Sequence, residues 1–294
     1  MKTPKYLSPS ALTTWIKDPV KYYGQYLADN APPRYPQTLP MAIGSAFDIM
    51  VKDAILGTES KDLLASKIDE EVRSEAIVHG KNVLTGYIAC GAFDALIGLI
   101  NRGTNVCLES KSDIVVVDGV PLLGIPDLTF TLGGYVVILD WKVNGVLSKV
   151  SPKAGYVKLH KPGHKNHGGC HKDVLPMAVT AAGGITVSSG GTFDDDWSRQ
   201  LETYSLLLGG GPWIGAIDQV YNYDGIGCAC HRVIGGGNSV IALYKELWSR
   251  VGTPGGHFFR EISAAESAAK CAMLDKQGLI YTDDAKGAFL RSIR

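Results

Sequence analysis

Two carboxylates and a lysine stand out in a stretch that is otherwise apolar. Residues 124–142 read G-I-P-D-L-T-F-T-L-G-G-Y-V-V-I-L-D-W-K. Asp127 lies in one apolar run, 121–130. Asp140 and Lys142 lie in a second, 135–143, and Gly133-Gly134 links the two. A two-residue glycine link between such runs predicts a β-hairpin. Side chains alternate along a strand, so Asp140 and Lys142 share one face and Trp141 takes the other. Strand pairing can then bring Asp127 alongside them. A carboxylate within apolar strands is costly unless it is paired or holds a metal. Hard oxygen ligands suit Mg²⁺, which uses one or two carboxylates beside substrate phosphates; Mn²⁺ is the substitute. An ion between Asp127 and Asp140 would polarise a phosphodiester and activate a water. Lys142 would orient that water or neutralise developing charge. The plainer alternative is an ion pair from Lys142 to either aspartate at a strand end.

Several elements must position these groups. Residues 41–56 predict a helix with Ile43, Phe47, Ile49 or Met50, and Ile55 on its apolar face. Asp48 lies one turn beyond Gly44, on the same face, and is a candidate third oxygen ligand; the alternative is an exposed helical aspartate. Residues 197–208 predict a second helix, on which Gln200 and Tyr204 share a face. Before the first, Ser8 or Ser10 can cap a short helix carrying Leu12, Trp15 and Ile16, and Pro19 suits the start of another. Residues 61–102 have helical spacing and 105–117 read as a strand. Residues 214–223 and 228–234 predict two further strands, the second a solvent-facing strand carrying His231 and Arg232, with contact to DNA as the alternative. Helices over 241–251 and 261–274 and a helical tail over 275–294 complete the chain.

Between 143 and 172 there is no Asp or Glu, yet there are six lysines and four histidines. A stretch this long without evident structure is functional or disordered. Lys149, Lys153, Lys158, Lys161 and Lys165 would track a phosphate backbone if this insert, about 143–192, lies beside the metal. His164, His167, Cys170 and His171 are zinc-ligand types, but their spacing fits no structural zinc pattern. Lys+Arg and Asp+Glu are each 29, so no global field draws nucleic acid and any binding surface must be local. Six scattered cysteines without C-x-x-C fit a reducing cytoplasm. No apolar stretch reaches the length of a membrane span and no signal peptide is evident. The expectation is a single domain over 1–294, with no membrane contact.

In order, these motifs resemble the PD-(D/E)XK nuclease superfamily, in particular RecB-type nucleases and phage recombination exonucleases. The carrying residues are the opening S-x-S-x-L, Gly44 followed by Asp48, G-x-x-D ending at Asp127, D-x-K over Asp140–Lys142, and Q-x-x-x-Y over Gln200–Tyr204. The resemblance spans about residues 7–223. It implies a mixed α/β fold, a central sheet flanked by helices with helical additions at both ends. It implies an Mg²⁺-dependent deoxyribonuclease, exonuclease rather than endonuclease, acting in DNA recombination or repair. DNA would be the substrate, and a single-strand annealing or recombination protein the partner. Asp48, Asp127 and Asp140 would hold the metal, with Asp48 where relatives carry histidine. Lys142 would be catalytic and Gln200 and Tyr204 would contact substrate or the lysine. Gly44 would allow close approach of helix to strand, and Glu109 would stand behind the ligands or be a solvated strand residue. Asp18 occupies the position of a cluster-ligating cysteine in the iron–sulfur members, so no such cluster is expected. Two other classes stay open: a nuclease-fold protein that binds DNA or a partner without cutting, and a zinc-stapled module built on the histidines.

Overall fold

The computed structural model describes residues 2–29, 31, 36–109, 113–148, 157–159, 178–179, 185–186, 195–223, 225–235 and 239–252; side chains are described outside 157–159, 178–179, 185–186 and 232–235. Helix α1 (Pro9–Lys17) leads into α2 (Pro19–Tyr22), which continues as a π-helical turn over Tyr23–Leu27. Four helices follow: α3 (Leu39–Leu56), α4 (Lys61–Lys67), α5 (Glu70–Ala89) and α6 (Ala92–Ile100). Strands β1 (Thr104–Leu108), β2 (Val115–Val117), β3 (Val120–Leu122), β4 (Leu128–Leu132) and β5 (Tyr135–Asn144) come next. The insert carries β6 (Val157–Leu159), β7 (Ala178–Val179) and β8 (Ile185–Thr186). The described chain ends with α7 (Asp195–Leu207), β9 (Trp213–Asn222), β10 (Ile226–Gly235) and α8 (Ser239–Val251). This is the mixed α/β architecture expected, a sheet flanked by helices.

The chain divides into two compact units, 36–111 with 125–237, and 1–35 with 112–124 and 238–294. The first is built on a six-stranded sheet of order β1-β4-β5-β9-β10-β6. Only β5 and β9 run parallel; the other neighbours are antiparallel. The β4–β5 turn is the predicted hairpin. Gly133 and Gly134 have φ of 58° and 82°, the double left-handed turn that matches strand twist and that glycine accepts without a Cβ clash. Alternation along β5 separates two cores. Val137, Leu139 and Trp141 face α3 and α5, while Ile138 joins Trp197, Leu201 and Tyr204 of α7 with Trp213 and Ile217 of β9. Helices α3 and α5 approach where small residues meet: a Cβ on Gly80 would lie 2.7 Å from the Ala46 Cβ. Gly44, expected to allow close approach of the helix to a strand, faces open space.

In the second unit Ser8 caps α1, accepting the Ala11 N–H at 3.2 Å, and Asp18 caps α2, accepting the Lys21 N–H at 3.0 Å. Asp18 thus has a local structural use. The apolar run 121–130 is not one strand. Val120–Leu122 pairs with β2 in this unit, and its neighbour Leu7 exchanges backbone hydrogen bonds with Pro121 and Leu123 at 2.8 and 2.9 Å. The expected strand over 105–117 likewise stops at Leu108. The histidines and cysteine at 164–171, and the stretches 261–274 and 275–294, lie outside the described residues. Among the described residues no single helix is long and apolar enough to cross a membrane; α5 and α6 would suffice only together, and they meet at 72°.

Candidate active site

The two aspartates of the hairpin meet because of register. Leu128 pairs with Leu139, so the residue before β4 lies beside Asp140. There the Asp127 side chain replaces a main-chain acceptor: its Oδ2 takes the Trp141 N–H at 3.1 Å. Asp140 is buried, at 3% exposure, and Lys142 ion-pairs with its Oδ2 from two residues along the same face. Helix α7 closes over this face. Gln200 Nε2 donates to Asp140 Oδ1 at 2.8 Å and lies 2.8 Å from Tyr204 Oη. Trp197, Leu201 and Tyr204 hold the helix down on the sheet, so Tyr204 supports Gln200 from within the core.

Helix α3 brings Asp48 to the same place. Asp48 and Lys52 are one turn apart, and the Lys52 ammonium lies 2.7 Å from both Asp48 oxygens. It also reaches Glu109 Oε1 at 2.9 Å and Asp127 Oδ1 at 3.4 Å. Glu109 is not a strand residue. Its φ is 46°, a left-handed conformation that is unfavourable for a residue with a long side chain. It is fixed there from two sides, by its N–H donated to the Asp127 carbonyl at 3.1 Å and by Lys52 on its carboxylate. Local strain held in this way is a common property of functional sites.

The electrostatics follow from this crowding. Burial, and then the Asp127 charge, push the Asp140 carboxyl up to about 7 against the opposing pull of Lys142. Burial and Asp127 push Asp48 up to about 6, with Lys52 opposing. For Lys52, burial works against the charge, but Asp127 and Asp48 outweigh it and raise the ammonium well above the ordinary lysine range. A site that raises its own carboxyl groups is short of positive charge. With oxygen donors only, it fits a hard divalent cation better than a soft one. The donors are not drawn tightly together, however. Among the described residues, the three metal-ligating side chains with atoms all within 4.8 Å of one another are Asp218, Cys228 and Cys230, elsewhere in the sheet.

The structure therefore brings Asp48, Asp127, Asp140, Lys142, Gln200 and Tyr204 together. Lys149, Lys153, Lys161 and Lys165 lie outside the described residues. Lys158 sits in β6, paired with Ala229 of β10, and its side chain is not described. The solvent-facing position expected for His231 is corrected: it is 2% exposed, with its Nε2 3.0 Å from Gln219 Oε1 and its ring edge-on to Trp197. The cause is α7, which covers that face of β10. Sequence reasoning missed Lys52; a lysine one turn after Asp48 was the available signal.

No family model matches the chain, and no curated protein matches it. The crystal structure of SSO0001 aligns with 80% of this chain and 83% of that one, at 11% identity and a TM-score of 0.28. A likeness at that level carries no argument about fold or function.

Proposed function

We propose that this protein is a metal-dependent deoxyribonuclease that hydrolyses DNA phosphodiester bonds, working from strand ends in recombination or repair. The observation that supports it most is the 2.8 Å bond from Gln200 to Asp140. It joins the Q-x-x-x-Y helix to the D-x-K strand across 60 positions of sequence, at the point where Asp127 and Asp48 also converge. Asp127 and Asp140 would hold Mg²⁺, with Asp48 as a third oxygen donor. Bound there, the ion would supply Lewis acidity toward a phosphoryl oxygen and lower the pKa of a water.

The remaining work belongs to the side chains. Gln200 fixes the rotation of the Asp140 carboxylate, and Tyr204 fixes Gln200. Lys142, 28% exposed at its side chain, can turn toward solvent and offer its ammonium to the attacking water or to a phosphate oxygen. Asp127, at 23%, is open to substrate from the same side. The setting would be the cytoplasm of a bacterium or of a phage's host, with an annealing or recombination protein to receive the resected strand.

Digestion of end-labelled linear and closed circular DNA, with and without Mg²⁺, tests this. Linear DNA should be shortened only with the metal, and the circle spared. Asp140→Asn and Lys142→Ala should each lower cleavage by roughly 10²-fold or more, the usual cost of removing a group that stabilises developing charge. Near-normal cleavage by Asp140→Asn would falsify the assignment. One observation favours a second reading, a nuclease fold that binds without cutting: Lys52 already supplies a positive charge to Asp48 and Asp127. Metal-independent DNA binding with no cleavage in either substrate would select it.

A further inference from the structure

The opposite face of the same sheet carries a second polar cluster. Trp141 and Asp218 are register partners in the parallel β5–β9 pair, and Cys230 is the partner of Asp218 across β9–β10. Cys228 lies two residues from Cys230, so both thiols point to that face. All three are buried, Asp218 at 1%, Cys228 at 0% and Cys230 at 5%, among the apolar residues that α3 and α5 pack onto the sheet. One ligand atom from each lies within 4.8 Å of the other two. The Cys228 and Cys230 sulfurs are 3.8 Å apart. That spacing is the edge of a tetrahedron whose centre lies about 2.3 Å from each sulfur, the usual zinc–thiolate distance. Tyr87, wholly buried on α5, donates its hydroxyl to Asp218 Oδ2 at 2.6 Å and accepts the Trp141 indole N–H at 3.3 Å. Metal ligands are oriented in this way by partners behind them. Cys90, at the end of α5, is buried in the same core.

We propose that Asp218, Cys228 and Cys230 form a structural site for a thiophilic divalent cation, Zn²⁺ first. A carboxylate and thiols in an apolar core gain little from one another as neutral groups. As ligands they neutralise a cation that ties β9 to β10. The site is independent of the proposed nuclease chemistry, since it lies on the other face of β5 and uses none of the same side chains.

The test uses the full chain, without an affinity tag that binds metal, purified from zinc-supplemented medium. About one zinc per chain should survive desalting. X-ray absorption at the zinc edge should count two sulfur neighbours. The histidines and single cysteine of the insert can supply only one sulfur, so the count separates the two locations on the parent protein alone. Cys228→Ser should lose the zinc and melt at lower temperature, whereas Cys170→Ser should keep it. If Cys228→Ser does not fold, the sulfur count on the parent decides. Absence of zinc both as purified and after refolding with zinc overturns the proposal. So does a count of one sulfur or none, or loss of zinc in Cys170→Ser.

Discussion

The Asp140 carboxyl, pushed up to about 7 by burial and by Asp127, makes native stability depend on pH. Unfolded, an aspartate titrates near about 3.9, so the native chain binds this proton more tightly than the unfolded one between the two values. The stability this group contributes is full below about 4 and is lost as pH rises through about 7. Asp48, pushed up to about 6, acts in the same direction. Asp140→Asn mimics the protonated form. In buffer without Mg²⁺ its melting temperature should match the parent's in acid and exceed it increasingly toward pH 8. A parent–variant difference that ignores pH would sink this account. Lys52 makes the complementary case. Lys52→Met leaves Asp48, Glu109 and Asp127 without their shared donor. It should cost about 1.5–3 kcal/mol, the range for hydrogen bonds to charged groups, and added Mg²⁺ should restore part of that. Urea titrations with and without Mg²⁺ give both numbers; a loss that Mg²⁺ does not touch would separate Lys52 from the proposed metal site.

At the level of elements, α3 is held by its contact with α5. Gly80→Ala improves helix propensity by about 1 kcal/mol, but its Cβ meets Ala46 Cβ at 2.7 Å and the Phe47 nitrogen at 3.1 Å. Both belong to the turn that presents Asp48, so overpacking of about 1–3 kcal/mol should win. The variant should melt lower and show less of the proposed DNA cleavage; a higher melting temperature would show that α3 can step aside at no cost. The same elements show what sequence could and could not tell. Period-2 alternation and the Gly133-Gly134 link disclosed the hairpin, because both are local. Helical spacing placed Gln200 over Tyr204. Lys52 was hidden because two of its partners, Glu109 and Asp127, are 57 and 75 positions away in sequence. Asp218, Cys228 and Cys230 become neighbours only once the β9–β10 register is known. The run 121–130 misled because one apolar string serves two separate sheets.

For the whole molecule, formal charge is +0, so attraction to a polyanion must come from local surface. The lysines of the insert are the densest source in the sequence. Replacing Lys149, Lys153, Lys161 and Lys165 by glutamine should weaken DNA binding and reduce its salt dependence, in a log–log plot, by about 0.7–0.9 for each phosphate no longer neutralised. Fluorescence anisotropy over a salt series measures this. An unchanged slope would remove the insert from the proposed DNA interface.

The parallel β5–β9 pair has a kinetic side as well. It is the central seam of the six-stranded sheet, yet its two strands are separated by about 70 residues of chain, so the seam closes only after a long loop has been gathered in. The β4–β5 and β9–β10 hairpins have no such delay and can form early on either side of it. The order of assembly expected from this topology is two independent ribbons first and their union last. Halving the intervening chain would lower that closing barrier by only about 0.6 kcal/mol, close to threefold in rate. The long insert therefore costs this protein little time in folding, which leaves its length open to be set by whatever the insert does.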